Sequence, residues 1–442
     1  MGIPVNVVAA GGLPVTVAQT GYGTPMEVAP AGLGIPVTFA ANGLPVVGIS
    51  DASLYWGQVA TKAYIPSGVS ATNKTATSRS HHVARDNISA LKIELPNWYW
   101  ARGTTGPETN GGGNITVTAS IEYPAATFTQ VKFSGSASAV IASGSSLLSD
   151  AVSVSIPNGA SFWVRTFVNA VTAIVFCEGN TGFARRDLGN GEAYEYSAST
   201  TTDKTMGGTV NDVGAASSPI YVPTAIIAQT RKPSVLIIGD SRDWGFTDTL
   251  DSSGDLGDIA RSIGPAYGYI NAGCAGDTFS ALIAAGTKRQ ALKQYVSHVI
   301  VGDAINALRS GGSGQNKTSA TVLGELQTVL GMFSDKRCYT TTCGGPNPTS
   351  TDNFATTANQ TVNANSAQIT AYNDAIRASV ANSLGFFEIA DQVESARNSG
   401  KWWVTGGANA TTSDGLHSTQ AGYLRIKNSG AVDPSRITRA GL

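Results

Sequence analysis

The sequence predicts a mixed α/β chain built from three successive parts. Residues 1–50 repeat a Gly-x-Pro unit, residues 51–230 contain short strand-like stretches, and residues 231–442 alternate strand-like with helical stretches. Short strands separated by turn residues favour an antiparallel sandwich or jelly roll, whereas strand–helix alternation favours a parallel sheet covered by helices on both faces. We therefore expect a repeat segment, an all-β sandwich and a three-layer α/β/α domain with a parallel sheet.

The first part carries five Gly-x-Pro units, whose prolines stand at positions 4, 14, 25, 36 and 45. Each unit joins a turn to a short alternating stretch such as Val15-Thr16-Val17-Ala18, which is too short to bury a core alone. Units of this kind stack or pair with another chain, so residues 1–50 are a candidate attachment segment in a homo-oligomer such as a trimer. A flexible low-complexity leader is the alternative.

The second part is rich in β-branched and aromatic residues between Gly, Pro and Asn. The predicted strands are 115–123, 128–135, 151–156, 161–168 and 173–177. In 151–156 the apolar side chains of Val152, Val154 and Ile156 alternate with small residues, which is the period of a half-buried strand.

The third part predicts strands over 234–238, 298–301 and 337–341, and helices over 279–295, 320–333 and 365–384. In the last helix Ile369, Tyr372, Ile376 and Val380 recur at helical spacing. In a parallel sheet of this kind, ligands bind at the carboxyl ends of the strands. The predicted strand 234–238 ends directly before Gly239-Asp240-Ser241, which marks that turn as a candidate site.

Composition excludes several classes of protein. Charged residues make up 13% of the chain, against about 25% in an average soluble domain, and the net charge is −1. Nothing in that balance favours nucleic acid or an anionic membrane as a partner. No apolar run approaches the ~20 residues of a membrane span, and no Lys or Arg precedes Lys62, so a signal peptide is not expected. Low charge and abundant Gly suit an extracellular or virion-associated protein.

The cysteine and histidine content predicts no metal site, since four Cys and four His form no ligand cluster along the sequence. Cys338 and Cys343 are close enough in sequence to close a small disulfide loop, and whether they do so is left open.

Four short blocks contain the residue types of acyl transfer. The blocks are Gly239-Asp240-Ser241, Asn271-Ala272-Gly273-Cys274-Ala275-Gly276-Asp277-Thr278, Ala304-Ile305-Asn306-Ala307 and Asp414-Gly415-Leu416-His417. A serine hydroxyl is a poor nucleophile without a base in contact, and a histidine base needs an acid to orient it. Ser241, His417 and Asp414 supply these three roles.

The order and spacing of the blocks resemble the SGNH (GDSL-type) hydrolases over residues 233–430. The third block departs from the family's Gly-x-Asn-Asp, because Ala304 and Ala307 stand where Gly and Asp are usual, while Asn306 is retained. The resemblance implies a Ser241–His417–Asp414 triad and an oxyanion hole formed by the backbone N–H of Ser241, the backbone N–H of Gly276 and the Asn306 amide. It implies no metal and no organic cofactor.

The resemblance implies a carboxylic ester hydrolase, and the attached β part, which weakly resembles a phage-tail-like or carbohydrate-binding module, favours a glycan substrate. We expect removal of O-acyl groups, in particular O-acetyl, from a bacterial surface or exopolysaccharide by a phage-tail or other virion-associated enzyme. A short-chain ester or lipid hydrolase and a non-catalytic receptor-binding or structural tail protein are the alternatives. Trp402, Trp403 and Asp240 are candidate substrate contacts, with core packing as the alternative for both tryptophans.

Overall fold

The computed structural model describes residues 53–103, 106–177, 186–213, 219–302 and 304–439, together with the backbone of two strands near the N-terminus. These strands, β1 (Val5–Val8) and β2 (Pro14–Val17), pair antiparallel. The rest of the 1–50 segment, and with it the predicted attachment role, lies outside the described residues. Residues Leu54–Arg439 form one compact unit, so the predicted boundary at residue 231 stays a prediction.

The first half of this unit is built from β-strands. They are β3 (Tyr55–Gln58), β4 (Ala63–Tyr64), β5 (Gly68–Ser70), β6 (Thr75–Val83), β7 (Ile88–Pro96), β8 (Trp98–Trp100), β9 (Glu108–Asn110), β10 (Ile115–Glu122), β11 (Phe128–Gln130), β12 (Ser138–Ile141), β13 (Ser146–Leu148), β14 (Val152–Ile156), β15 (Ser161–Ala170), β16 (Ile174–Phe176), β17 (Ala193–Ser197) and β18 (Ala225–Thr230). A 3₁₀ turn spans Leu188–Asn190.

Most of these strands form two antiparallel sheets. The first has the order β11-β10-β15-β6-β17 with β12 also paired to β10, and the second has the order β13-β7-β18-β3 with β14 also paired to β7. The sheets share one apolar core, to which β10 contributes Ile115, Val117, Ala119 and Ile121 at every second position. The five strands predicted from the sequence correspond to β10, β11, β14, β15 and β16.

The second half alternates strands and helices. Its strands are β19 (Ser234–Ile238), β20 (Gly268–Asn271), β21 (His298–Val301), β22 (Arg337–Thr341), β23 (Thr349–Ser350), β24 (Gln360–Thr361) and β25 (Phe386–Phe387). Its helices are α1 (Ser241–Trp244), α2 (Ala260–Ile263), α3 (Phe279–Ala285), α4 (Thr287–Ala291), α5 (Ile305–Leu308), α6 (Ser319–Met332), α7 (Ser366–Arg377), α8 (Ala390–Val393) and α9 (Gln420–Ser429). Two 3₁₀ turns span Leu292–Tyr295 and Pro434–Arg436. The mixed α/β class predicted from the sequence is confirmed.

A parallel sheet with the order β25-β22-β21-β19-β20-β4 forms the centre of this half. Its central strand β19 is buried on both faces. Leu236 and Ile238 pack in one apolar core with α3, α6 and α7, whereas Val235 and Ile237 pack in another with α2, α8 and α9. A continuous apolar run is what a parallel strand between two helical layers requires.

The edge strand β4 comes from the region predicted to be all-β. Ala63 pairs with Ile270 and Tyr64 with Asn271, so the first half of the chain extends the parallel sheet of the second half. The apolar core beside α3 likewise includes Trp98 and Trp100 of β8. The two halves are therefore joined through both a sheet and a core.

Two further sequence questions have structural answers within the described residues. Cys338 and Cys343 are not joined by a disulfide, and both are buried. No described helix is long and apolar enough to cross a membrane.

Candidate active site

Loops that follow three neighbouring parallel strands carry the first three sequence blocks. The Gly239-Asp240 turn follows β19 and leads into Ser241 at the start of α1, Gly276 follows β20, and Asn306 lies in α5 after β21. Since the carboxyl ends of parallel strands meet at one edge of the sheet, these residues converge there. The fourth block is the loop that precedes α9.

Ser241, His417 and Asp414 form a continuous hydrogen-bonded chain. Ser241 Oγ lies 2.8 Å from His417 Nε2, and His417 Nδ1 lies 2.6 Å from Asp414 Oδ2. Ser241 is only 5% exposed, whereas the side chain of Asp414 is 42% exposed. The contact between residues 241 and 417 joins the two ends of the α/β half. The roles of nucleophile, base and acid that the sequence analysis gave to these three residues stay predictions.

Electrostatics fix the direction of these hydrogen bonds. Partial burial alone would raise the pKa of Asp414, but hydrogen bonds from the His417 ring and from the backbone N–H groups of His417 and Leu416 outweigh it and lower that pKa to about 2. The carboxylate is therefore ionised at neutral pH and can only accept. His417 Nδ1 therefore donates this hydrogen bond, and in the ring tautomer that carries its proton on Nδ1, Nε2 can accept from the Ser241 hydroxyl.

Two backbone donors at the site are unoccupied. Within the described part of the chain, neither the N–H of Ser241 nor the N–H of Gly276 donates a hydrogen bond. Gly276 is the third residue of a β-turn closed by a 3.1 Å bond from Asp277 N to Cys274 O, and its φ of 82° is the left-handed value that favours glycine there. Such N–H groups are suited to hold an anionic oxygen.

Asn306 links the first three blocks. Its Nδ2 donates to Asp240 Oδ2 and to the backbone oxygen of Asp277, both at 3.2 Å. On the other side Arg309 Nε donates to Asn306 Oδ1 at 3.5 Å. These contacts orient the amide so that its nitrogen faces the other two blocks. The role of Asn306 in an oxyanion hole stays a prediction.

The β-rich half supplies one border of the site. Gly103 N donates to Ala275 O at 3.3 Å, and a Cβ on Gly276 would lie 3.1 Å from Gly103 Cα. The exposed Arg102 places its guanidinium 5.5 Å from the centre of the Trp244 ring on α1. The β-rich half therefore lies against the block that contains Gly276 and against α1.

A buried arginine, Arg289, connects strands β8 and β9 of the β-rich half with Asp277, the residue after Gly276. The guanidinium of Arg289 pairs with Asp277, stacks 3.8 Å from the Trp100 ring of β8 and lies 3.6 Å from Glu108 of β9. Burial raises the pKa of Asp277, while Arg289 opposes that change. Asp277 Oδ1 also accepts a hydrogen bond from Thr278 N at 2.8 Å.

The three predicted substrate contacts differ in position. Trp402 is fully buried and offers no surface to a ligand, so core packing describes it. Asp240 is 2% exposed and accepts bonds from Arg242 N and Asn306. Trp403 is partly exposed, with the guanidinium of Arg425 4.3 Å from its ring centre. For Trp402 direct substrate contact is not compatible with this burial, whereas for Asp240 and Trp403 it stays a prediction.

Sequence reasoning missed several residues that support the site. The Phe246 ring centre lies 4.4 Å from that of His417, and the buried Arg242 pairs with Asp258 and donates to Leu416 O at 3.4 Å. Arg309 is 8% exposed; burial lowers its pKa, against the effect of nearby carboxylates. Arg242 and Phe246 follow Ser241 by one and five positions, so their closeness in sequence to the candidate nucleophile could have indicated them. No neighbouring motif in the sequence indicates Arg309.

The remaining histidines do not approach this site. His81 and His82 lie in β6, and His298 begins β21; all three are buried, and burial lowers the pKa of each, to about 3 for His81 and His82 and about 4 for His298. Across the described ranges, no group of three or more His, Cys, Asp or Glu side chains is arranged to hold a metal ion.

No family model matches this chain, and no curated protein matches it. Among solved structures it is similar to a peptidoglycan O-acetylesterase (10% identity, 88% of this chain and 84% of that chain, TM-score 0.37). It is also similar to a carbohydrate esterase family 2 enzyme plus carbohydrate binding domain from Corynascus thermopiles (Myceliophthora fergusii), with 13% identity over 87% of this chain and 99% of that chain and a TM-score of 0.32. A third similar structure is a lipase/acylhydrolase from Enterococcus faecalis, with 19% identity over 48% of this chain and 100% of that chain and a TM-score of 0.31. At these identities and TM-scores the likenesses do not identify an activity.

Proposed function

We propose that this protein is a serine ester hydrolase that removes O-acyl groups, in particular O-acetyl groups, from a bacterial polysaccharide. One observation carries the proposal: Ser241 Oγ, His417 and Asp414 are joined by hydrogen bonds of 2.8 and 2.6 Å, and the backbone N–H groups of Ser241 and Gly276 donate to no other residue that the structure describes. A nucleophile, an oriented base and free donors for an oxyanion are the requirements of acyl transfer.

In the first half-reaction Ser241 Oγ attacks the acyl carbon and His417 Nε2 takes the hydroxyl proton. The carbonyl oxygen becomes an oxyanion, which the N–H groups of Ser241 and Gly276 and the amide of Asn306 would hold. When the tetrahedral intermediate collapses, the bond to the sugar oxygen breaks and His417 returns its proton to that leaving alcohol. Water, deprotonated by His417, then attacks the acyl-enzyme and releases the carboxylic acid and Ser241.

The third donor requires a small rearrangement. Both described bonds of Asn306 Nδ2 are long, at 3.2 Å, so each is weaker than an ordinary N–H···O bond near 2.9 Å. An oxyanion is a stronger acceptor than the Asp277 carbonyl, because charged hydrogen bonds are roughly twice as strong as neutral ones. We infer that one amide hydrogen is redirected to the oxyanion as negative charge develops.

The border formed by Arg102 and Gly103 supports a substrate larger than its acyl group, since an alcohol portion extending from Ser241 would lie against the β-rich half. This is the reason to favour a glycan over a small ester. Association with a phage tail or virion stays a prediction from the repeats in residues 1–50.

The test is acetate release from a panel of O-acetylated bacterial polysaccharides and from p-nitrophenyl acetate, for wild type beside Ser241→Ala. The variant removes one oxygen from a buried site, so its melting temperature serves as the folding control. Release from a polysaccharide that vanishes in the variant would support the proposal and name the substrate.

Other outcomes would favour the alternatives. Release from the small ester alone would point to a short-chain or lipid hydrolase, and a rate that rises from acetyl to octanoyl esters would select the lipid enzyme, since each buried methylene contributes about 0.8 kcal/mol. No release from either substrate would favour a non-catalytic binding protein. Turnover retained by Ser241→Ala would exclude Ser241 as the nucleophile.

A further inference from the structure

A buried tryptophan, Trp402, donates a hydrogen bond to the loop Asp414-Gly415-Leu416-His417. Trp402 Nε1 donates to the backbone oxygen of Gly415 at 2.6 Å, and the side chain of Trp402 is fully buried. Gly415 lies between the acid and the base of the candidate triad, so this bond fixes the turn that sets the separation of Asp414 from His417. The residue that the sequence offered as a sugar contact therefore reaches the triad from the protein interior.

The backbone N–H and the backbone oxygen of Trp402 are both hydrogen-bonded to one side chain, that of Gln360. Gln360 Oε1 accepts from Trp402 N at 2.7 Å, and Gln360 Nε2 donates to Trp402 O at 3.0 Å. The Arg242 guanidinium lies 5.6 Å from the centre of the Trp402 ring. Because Arg242 directly follows Ser241, the ring is packed between the element that carries the nucleophile and the loop that carries the base.

The loop has little freedom to adopt another shape. Gly415 has a φ of 76°, and a Cβ at this position would lie 2.3 Å from Pro348 O and 3.0 Å from the Phe354 ring. Its own N–H donates to Thr412 Oγ1 at 2.9 Å. The N–H and the carbonyl of Gly415 are both hydrogen-bonded to buried side chains, so the backbone of the turn is restricted at this residue.

We propose that Trp402 is a positioning residue of the esterase, acting through Gly415 to keep His417 Nε2 within hydrogen-bond distance of Ser241 Oγ; this rests on the proposed function. Proton transfer from the serine depends on that distance, and small misplacements of reacting groups cost rate far more than they cost binding. Loss of the indole N–H should thus lower kcat while KM changes little.

The test is Trp402→Phe, which keeps an aromatic ring beside Arg242 and removes the N–H donor. With p-nitrophenyl acetate we expect kcat to fall about 10- to 100-fold and KM to stay within about twofold. The matched control is Tyr221→Phe, which deletes an equally buried donor to a backbone carbonyl, Tyr221 Oη to Pro96 O at 2.7 Å, in the β-rich half. This control should lower the melting temperature without lowering kcat.

The outcomes separate the two proposals. Trp402→Phe with wild-type kcat, or a kcat loss no larger than that of Tyr221→Phe, would overturn the positioning role and leave the esterase proposal intact. If Trp402→Phe does not fold, Gln360→Met removes both bonds to the Trp402 peptide, and we expect a kcat loss of about 3- to 10-fold; unchanged kcat there would also overturn it. A wild-type protein without ester hydrolysis would overturn the proposed function, and this inference with it.

Discussion

Replacing Asp414 by asparagine is the sharpest test of the proposed triad, because the structure fixes how the new amide must face. Asp414 Oδ1 accepts from the backbone N–H groups of Leu416 and His417, both at 2.8 Å, and Oδ2 faces His417 Nδ1. An asparagine keeps its oxygen toward the two backbone donors, so its NH₂ group must face the ring. His417 Nδ1 would then have to accept, which places the ring proton on Nε2, where the Ser241 proton should go.

The magnitude follows from this tautomer and from solvent exposure. In a buried triad the equivalent exchange lowers kcat by about 10⁴-fold. The Asp414 side chain is 42% exposed, so water competes with the new contact, and we expect a smaller loss of about 10²- to 10³-fold, or about 3–4 kcal/mol of transition-state stabilisation. Alanine leaves the ring free to choose its tautomer, so Asp414→Ala should retain more activity than Asp414→Asn.

The assay is steady-state hydrolysis of p-nitrophenyl acetate by wild type and both variants, with melting temperatures to confirm folding. An Asp414→Asn variant within tenfold of wild type would contradict the assigned acid. Greater activity in Asp414→Asn than in Asp414→Ala would contradict the tautomer argument even if both variants were slow.

Three further predictions use other parts of the chain. Asn306→Ala should lower kcat about 100-fold or more with little change in KM, as expected for the loss of one oxyanion donor worth about 3 kcal/mol, and a normal kcat would show that the donor is another residue. Gly276→Ala should lower both kcat and the melting temperature, because φ is 82° and the new Cβ would lie 3.1 Å from Gly103 Cα; a variant equal to wild type in both would place this turn away from the reacting carbonyl. Burial raises the pKa of Asp255 from its ordinary 3.8 to about 7, so the folded state holds a proton that the unfolded state releases, and stability should fall as pH rises through that interval. Asp255→Asn should remove this fall, at most about 3 kcal/mol between the two conditions, in urea unfolding at about pH 5 and about pH 9; the same fall in the variant would assign it to other groups.

The strands of the parallel sheet were predictable because their signal is local. β19, β21 and β22 begin and end at the predicted residues. β19 and β21 are mostly apolar, and β22 carries aromatic and β-branched residues, and neither signal needs a partner strand to be recognised. The helices were predicted less accurately. The stretch predicted as one helix, 279–295, consists of α3, α4 and the 3₁₀ turn Leu292–Tyr295. Gly286 separates α3 from α4, and a Cβ at this position would lie 2.3 Å from Leu282 Cδ1.

The last predicted helix also ends early, for a different reason. α7 ends at Arg377, and Ser379 has a φ of 91°, yet Val380 still packs in the same apolar core as Ile369. The spacing of Ile369, Tyr372, Ile376 and Val380 indicates which residues face the core. Val380 faces this core too, although it lies in the turn after α7 and not in the helix. A pattern of burial therefore overestimated the length of a hydrogen-bonded helix.

The sequence by itself determined the α/β class, two of the three strands that carry the site (β19 and β21), and the nucleophile, base and acid candidates, because reactive residue types next to apolar runs are local features. Only the tertiary structure decided which distant segments touch. β4 at the sheet edge, Gly103 against Gly276, and Trp402 beneath Gly415 are such contacts. No periodicity marks them, since each depends on where two separately folded segments meet, and a buried tryptophan has the same appearance in a sequence as one exposed to a sugar.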